Sequence, residues 1–393
     1  MKSTVRIGDS DILVESDDTY LTSIGREFEP AMVELFKTFV EPEMVVMDVG
    51  GNIGLTALLF SGLAREIHVF EPSPSTHAIL ERNLANGHAD NVITYNLGLG
   101  TEAGTALITR AQDNRAGAFV SDSPTRISGH VSESILLDTL DAVCDRQGVD
   151  PDFIKIDVEG FEESVLRGGA RVLERSKPVV VMELNHGCLN ILHRKSVPHY
   201  IEFLREVFPY LYAVDTDNSQ VRDMHDESEA YSVMHEHVMR NRYPNLVGGF
   251  DDRVPHKLND LVKRCQTAPI ADASGTVEVI NAPGKVRTHE AFRIQLQLEN
   301  RSEAHLRGTP LHPLNLSYHW LVADGNAMVF DGVRTPTPSS GFASGSTTGV
   351  WIDVVAPGVP GTYRLLPSLV QEGIAWLEEL GLALGEVTVE VEG

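Results

Sequence analysis

The chain has 393 residues, 42% hydrophobic and 22% charged, with a formal net charge of −24. That length predicts two or three folded domains, and the composition excludes a disordered chain. The negative charge excludes a non-specific binder of nucleic acid or of anionic membranes, since both ligands are polyanions.

The opening residues carry no apolar core of signal-peptide length, and no apolar run reaches the ~20 residues that span a bilayer. Cys144, Cys188 and Cys265 lie far apart, with no CxxC pair. They offer neither a disulfide framework nor a zinc site, so a reducing, cytoplasmic setting is expected. From 45 onward, VVMDVG predicts a buried strand and LTALLFSGL a helix. EIHVFEP (66–72) is a strand, THAILERNLAN (76–86) a helix and NVITYNLGL (91–99) a strand. LLDTLDAVCDR (136–146) reads as a helix before the strand DFIKIDVEG (152–160), and EESVLRGGARVLER (162–175) as a helix before KPVVVMELN (177–185). Val/Ile-rich strands alternating with helices predict an α/β fold, a parallel sheet covered on both faces.

The pattern changes after Gly248. Residues 251–273 read as a linker with a short helix, and 274–393 as an antiparallel β-sandwich. FRIQLQLEN (292–300) alternates strictly, turning Phe292, Ile294, Leu296 and Leu298 one way and Arg293, Gln295, Gln297 and Glu299 the other. Trp320, Trp351, Trp376, Tyr318 and Tyr363 are candidates for sugar stacking. Most occupy inward-type positions, where core packing is the simpler reading.

The first strand runs through Asp48 into DVGGNIG and then directly into a helix. Ligands of open α/β sheets bind beyond the carboxyl ends of strands, where a Gly-rich turn admits them to the backbone. A pyrophosphate cradle needs G-x-G-x-x-G, and Asn52 breaks that spacing. An acidic turn suits the cationic sulfonium and ammonium of S-adenosylmethionine better. Glu71 ends the second strand, where a carboxylate accepts hydrogen bonds from ribose hydroxyls. Asp157, Glu159, Glu183, Asn185 and His186 follow the next two strands and are expected to share one crevice. Methyl transfer to a hydroxyl needs a proton acceptor, and His186, Asp157 and Glu159 are the candidates. An all-oxygen metal site of Asp157, Glu183 and Asn185 is an alternative; the spacing does not require it, and no metal is assigned.

VVMDVGGNIGLT, HVFEPSP, LDTLD, FIKIDVEGFEESVLRGG and VVVMELN, in this order over roughly residues 25–215, resemble the motifs of FkbM-family S-adenosylmethionine-dependent methyltransferases. The resemblance implies a class I methyltransferase domain over 1–250, with a seven-stranded sheet ending in an antiparallel hairpin. It implies O-methylation, often of sugars or secondary metabolites. By position, Asp48, Gly50, Asn52 and Gly54 would border the methionine part of the cofactor and Glu71 would hold the ribose. Asp157, Glu159 and Glu162 would lie in the acidic motif by the acceptor. Gly51 stands where the family commonly has Ala. Segment 110–130 has no clear counterpart; Asn114 within it is a further candidate, with Glu183 and Asn185, for the acceptor site. MELNHGCLN resembles a subgroup of surface-polysaccharide loci. GTYRLLPSLVQEGIAWLEELG resembles the glycan-binding domain attached to O-antigen exporter ATPases. The expected activity is O-methylation of a sugar hydroxyl in a bacterial surface polysaccharide or its precursor, with a glycan as partner and self-association open. The alternative is a non-catalytic glycan-binding protein on a vestigial methyltransferase fold.

Overall fold

The structure is a computed structural model, described here for residues 1–393 except 25–26, 112–113, 122–128, 266–268, 310–311, 323–326, 330 and 339–340. The chain forms two compact units, Met1–Lys263 and Arg264–Gly393.

The first unit is built on an eight-stranded sheet. In chain order its strands are β1 (Val45–Val49), β2 (Glu66–Phe70), β3 (Val92–Tyr95), β4 (Phe153–Ile156), β5 (Val179–Glu183), β6 (Tyr210–Val214), β7 (Val221–Asp223) and β8 (Asn245–Gly249). They lie in the order β7-β6-β8-β5-β4-β1-β2-β3. β1 to β5 pair in parallel, while β8 is antiparallel to both β5 and β6. The expected count of seven is one too low: Val221–Asp223 adds a short edge strand to β6. All five residues of β1 are buried, as a strand covered on both faces requires. Phe36, Phe60 and Phe153 meet edge to face, with ring centroids 4.9–6.0 Å apart, and lock the covering helices to the sheet.

Helix starts follow local chemistry. Ser73 caps Pro74–Asn86 by accepting from the Thr76 N–H, and Pro74 supplies a preset φ at the first turn. Thr139 caps Leu140–Gln147 in the same way. The helix expected from 136 therefore begins at 140, and Leu136–Asp138 end a strand instead, His130–Asp138. That strand belongs to a second sheet of Gly98–Leu99, Gly104–Ala111, Asn114–Ser121 and His130–Asp138. The strand expected over 91–99 is thus divided between two sheets.

In the second unit, Gly275–Asn281, Ala291–Asn300, Thr347–Val355 and Leu382–Leu384 form a four-stranded sheet. A larger sheet is centred on Leu314–Leu321 and Gly361–Gln371. Both contribute to one core, including Ile294, Leu296, Leu298, Ile352, Trp320 and Leu365. Among the described residues, the bonds that link them include Trp320 Nε1 donating to the Val355 carbonyl and the Val355 N–H donating to Tyr318 Oη, both at 2.9 Å. Pairing is not wholly antiparallel, because Gly275–Asn281 runs parallel to Leu382–Leu384 and Lys285–Arg287 parallel to Val387–Glu392. Trp320, Tyr318 and Tyr363 are buried, whereas Trp351 is 47% exposed.

Candidate active site

The turn after β1 is shaped by close approach. Gly50 has φ +86°, and a Cβ there would lie 1.9 Å from the Asp157 carbonyl oxygen at the tip of β4. Only glycine fits. A Cβ on Gly51 would lie 2.2 Å from Val69 Cγ2, so this packing also accounts for glycine at that position. The Gly50 and Gly51 N–H groups both donate to the Phe70 carbonyl, tying the turn to the end of β2.

Glu71 stands just past that end, buried. Its Oε2 accepts from the Asn52 N–H at 3.0 Å and its Oε1 from the Ser73 N–H at 2.9 Å. Burial outweighs these bonds and pushes its carboxyl up to about 7. Asp48 is fully buried: Oδ2 accepts from Thr56 Oγ1 at 2.5 Å, and Oδ1 lies 3.2 Å from Lys155 Nζ. Lys155 also donates to the Gly50 carbonyl at 2.8 Å and lies 3.5 Å from Asp157 Oδ2.

Two cavities flank the turn. The larger, about 700 Å³, has apolar walls including Leu99, Ile108 and Leu137, with Glu71, Arg115 and Glu159 among its polar groups. The smaller, about 420 Å³, is bounded by Tyr20, Glu29, Met32, Thr56 and Lys155. Gly50, Asn52 and Asp157 line both. Asn52 Oδ1 is buried in this shared wall and accepts no hydrogen bond.

Beyond β4, Glu159 has φ +53°. Its Oε2 accepts from Asn185 Nδ2 at 3.0 Å and from the Cys188 thiol at 2.9 Å. Burial, and then the neighbouring Asp157 charge, push Glu159 up to about 7. Glu183 is driven up still more strongly by burial and by Asp157, Glu159 and Glu162. Asp157, Glu159 and Glu183 each bring one oxygen within 4.8 Å of the others.

Of the residues expected from the sequence, Gly50, Asn52, Glu71, Asp157 and Glu159 line the two cavities; Asp48, Gly54, Asn114, Glu162, Glu183, Asn185 and His186 do not. Glu162 is fully buried and its Oε1 accepts from the Val158 and Gly160 N–H groups, so it braces the β4 turn. Asn185 caps helix His186–Ile191 through the Cys188 N–H. His186 turns to His237: its N–H donates to His237 Nε2 at 3.3 Å and the rings meet edge to face at 5.0 Å. Asn114 is exposed at the start of its strand. The buried neighbour Arg115 reaches the larger cavity and binds Asp17 through Nε and Nη2, with Ser75 and Thr76 taking Nη1.

Sequence reasoning missed Lys155 and Arg115. A signal for Lys155 was present: a lysine inside the apolar run FIKI needs a counter-charge as surely as Asp157 does.

The profile described as "Methyltransferase FkbM domain" matches residues 48–211. The chain is similar to a hexuronic acid methyltransferase, AglP, of Haloferax volcanii, 28% identical over 160 residues, which are 40% of this chain and 63% of that protein. A solved FkbM methyltransferase from Methylobacillus flagellatus KT is 16% identical, covering 44% of this chain and 43% of that one, with a TM-score of 0.29. SMU.1697c, a putative methyltransferase of Streptococcus mutans solved in complex with SAH, is 10% identical over 47% of this chain and 85% of that one, with a TM-score of 0.30. The chain thus spans less than two thirds of the Haloferax and Methylobacillus relatives it matches. Residues 48–211 are thus similar to the FkbM methyltransferase domain.

Proposed function

We propose that the chain is an S-adenosylmethionine-dependent O-methyltransferase acting on a sugar hydroxyl of a bacterial surface polysaccharide or its precursor, in the cytoplasm. The observation that carries this reading is the pair of cavities meeting at Gly50, Asn52 and Asp157. The apolar walls of the larger suit adenine, and Glu71 beside them suits a ribose diol. The smaller, with Lys155 and Glu29, suits the zwitterionic methionine end. Asn52 Oδ1, buried without a donor, offers an acceptor to such a ligand.

The cofactor supplies a methyl group on a sulfonium. Asp157 lies where the two cavities join, next to Glu159. These carboxylates receive the proton that the acceptor hydroxyl loses as its oxygen bonds the methyl carbon. The sulfur–carbon bond breaks with its electron pair left on sulfur. His186, paired with His237 away from both cavities, is not assigned the base role.

The activity named for the Haloferax relative supports a sugar acceptor. In the second unit, exposed Trp351 pairs across strands with Gln295, giving an aromatic face beside an amide, a combination suited to a sugar ring. Calorimetry with S-adenosylmethionine and NAD in parallel tests the cofactor: saturable binding of the first alone is expected. Mass spectrometry of surface glycans with and without the gene tests the reaction, reading one added methylene mass per transfer. Cofactor binding without any change in glycan mass would favour the non-catalytic glycan-binding alternative.

A further inference from the structure

We propose that Asp18 is a positioning residue for the cofactor: it holds Tyr20 in the wall of the smaller cavity, where the ring would face the sulfonium of S-adenosylmethionine. This rests on the cofactor reading above and adds to it a contact from outside residues 48–211. The cavity wall has two sources. Gly50, Asn52, Lys155 and Asp157 stand on the sheet or at its strand ends, whereas Tyr20 comes from an N-terminal stretch outside the eight-stranded sheet. Its helix, Tyr20–Ile24, has five residues, too few to be stable by itself in water. Other contacts must therefore fix where it lies.

Asp18 supplies them. Its Oδ1 accepts from the Tyr20 N–H at 3.1 Å and from Ser16 Oγ, and its Oδ2 accepts from the Arg115 N–H at 2.8 Å. One carboxylate thus joins the first residue of the helix to the strand Asn114–Ser121, which walls the larger cavity. Asp17 reinforces the tie by accepting from Arg115 Nε at 2.7 Å and Nη2 at 2.6 Å, and that guanidinium holds the Asp17 carboxyl below its ordinary range. The Tyr20 side chain is turned inward. Burial pushes its hydroxyl up, and Glu29 and Asp157 add to the effect, so the phenol lies among the carboxylates of the cavity. Asp157 lines both cavities, and the sulfonium of a ligand spanning them would sit beside it. An aromatic face within about 6 Å of a cation attracts it. A tyrosine here would therefore favour the charged cofactor over S-adenosylhomocysteine, whose sulfur is neutral, and so help the product to leave.

The test is titration calorimetry of the full chain with S-adenosylmethionine and, separately, S-adenosylhomocysteine. Tyr20→Leu and Asp18→Ala are each expected to weaken S-adenosylmethionine binding roughly three- to tenfold and S-adenosylhomocysteine binding less, while Tyr20→Phe, which keeps the ring, retains the wild-type ratio. The double variant should bind no more weakly than Tyr20→Leu alone, because Asp18 acts through that ring. Equal losses for the two ligands, additive losses in the double variant, or unchanged affinities overturn the proposal. Binding of neither ligand by the wild type would overturn the cofactor reading along with it, so the wild type alone tells the two failures apart. Should Asp18→Ala fail to fold, Asp18→Asn takes its place: it gives up one of the two acceptor oxygens, and the same ratio decides.

Discussion

Lys155 and Asp48 are register partners on adjacent parallel strands, with Nζ and Oδ1 3.2 Å apart and both side chains buried. The same ammonium holds the Gly50 carbonyl, so one cation fixes both the end of β1 and the turn that lines the two cavities. Lys155→Met would leave the buried Asp48 carboxyl without its ion-pair partner. We expect a loss of about 3–5 kcal/mol in urea unfolding. A variant as stable as wild type would show that the Lys155–Asp48 pair adds nothing net to folding.

Gly50→Ala is expected to abolish S-adenosylmethionine binding in calorimetry. The added Cβ meets backbone rather than a flexible side chain, and its φ of +86° is strained for alanine. Retained affinity would mean that the turn can yield without loss of the ligand contacts proposed for it.

Stability should fall as pH rises from about 4.5 to about 7. Glu71 and Glu162 are pushed up to about 7, above the ordinary 4.5, chiefly by burial. Between those values the folded state holds protons that the unfolded chain has released, which favours folding at the acidic end. Each group contributes at most roughly 3 kcal/mol over that window. Thermal melts of wild type and Glu71→Gln check this, and the variant should show the shallower slope. Cofactor affinity should move the other way, strengthening with pH, because a ribose diol donates to the ionised carboxylate.

Arg115→Ala should loosen the strand Asn114–Ser121 where it walls the larger cavity. The guanidinium is buried, but its Asp17 partner is largely exposed, so a modest loss of roughly 1–2 kcal/mol is expected. Weaker cofactor binding by calorimetry should accompany it.

Trp351→Ala should leave the melting temperature nearly unchanged, since surface substitutions shift stability by about 0.5 kcal/mol or less. Glycan-array binding should drop if this face holds sugar. Undiminished binding would remove the second unit's proposed role.

What could be read from the sequence was local. DVGGNIG, Glu71 and the acidic tip of β4 each announce themselves within a few residues, because turn geometry and strand ends are set by neighbours in the chain. The roles of Asp48 and Glu162 were not legible, since a strand-end acid looks alike whether it faces a ligand, a buried lysine or two backbone N–H groups. Arg115 binds partners nearly a hundred residues away in Asp17, and no periodicity encodes that meeting. Nor did the continuous apolar pattern of NVITYNLGL show that the chain changes sheets between Tyr95 and Gly98.

The position of β8 bears on how this protein can be cut for study. The family-matched segment stops at residue 211, yet Asn245–Gly249 slots between β5 and β6. Excising 48–211 as a minimal catalytic piece would strip β5 of its neighbour and bare a Val-rich edge to solvent, an invitation to aggregate. The boundary of recognisable ancestry and the boundary of autonomous folding fall in different places along this chain.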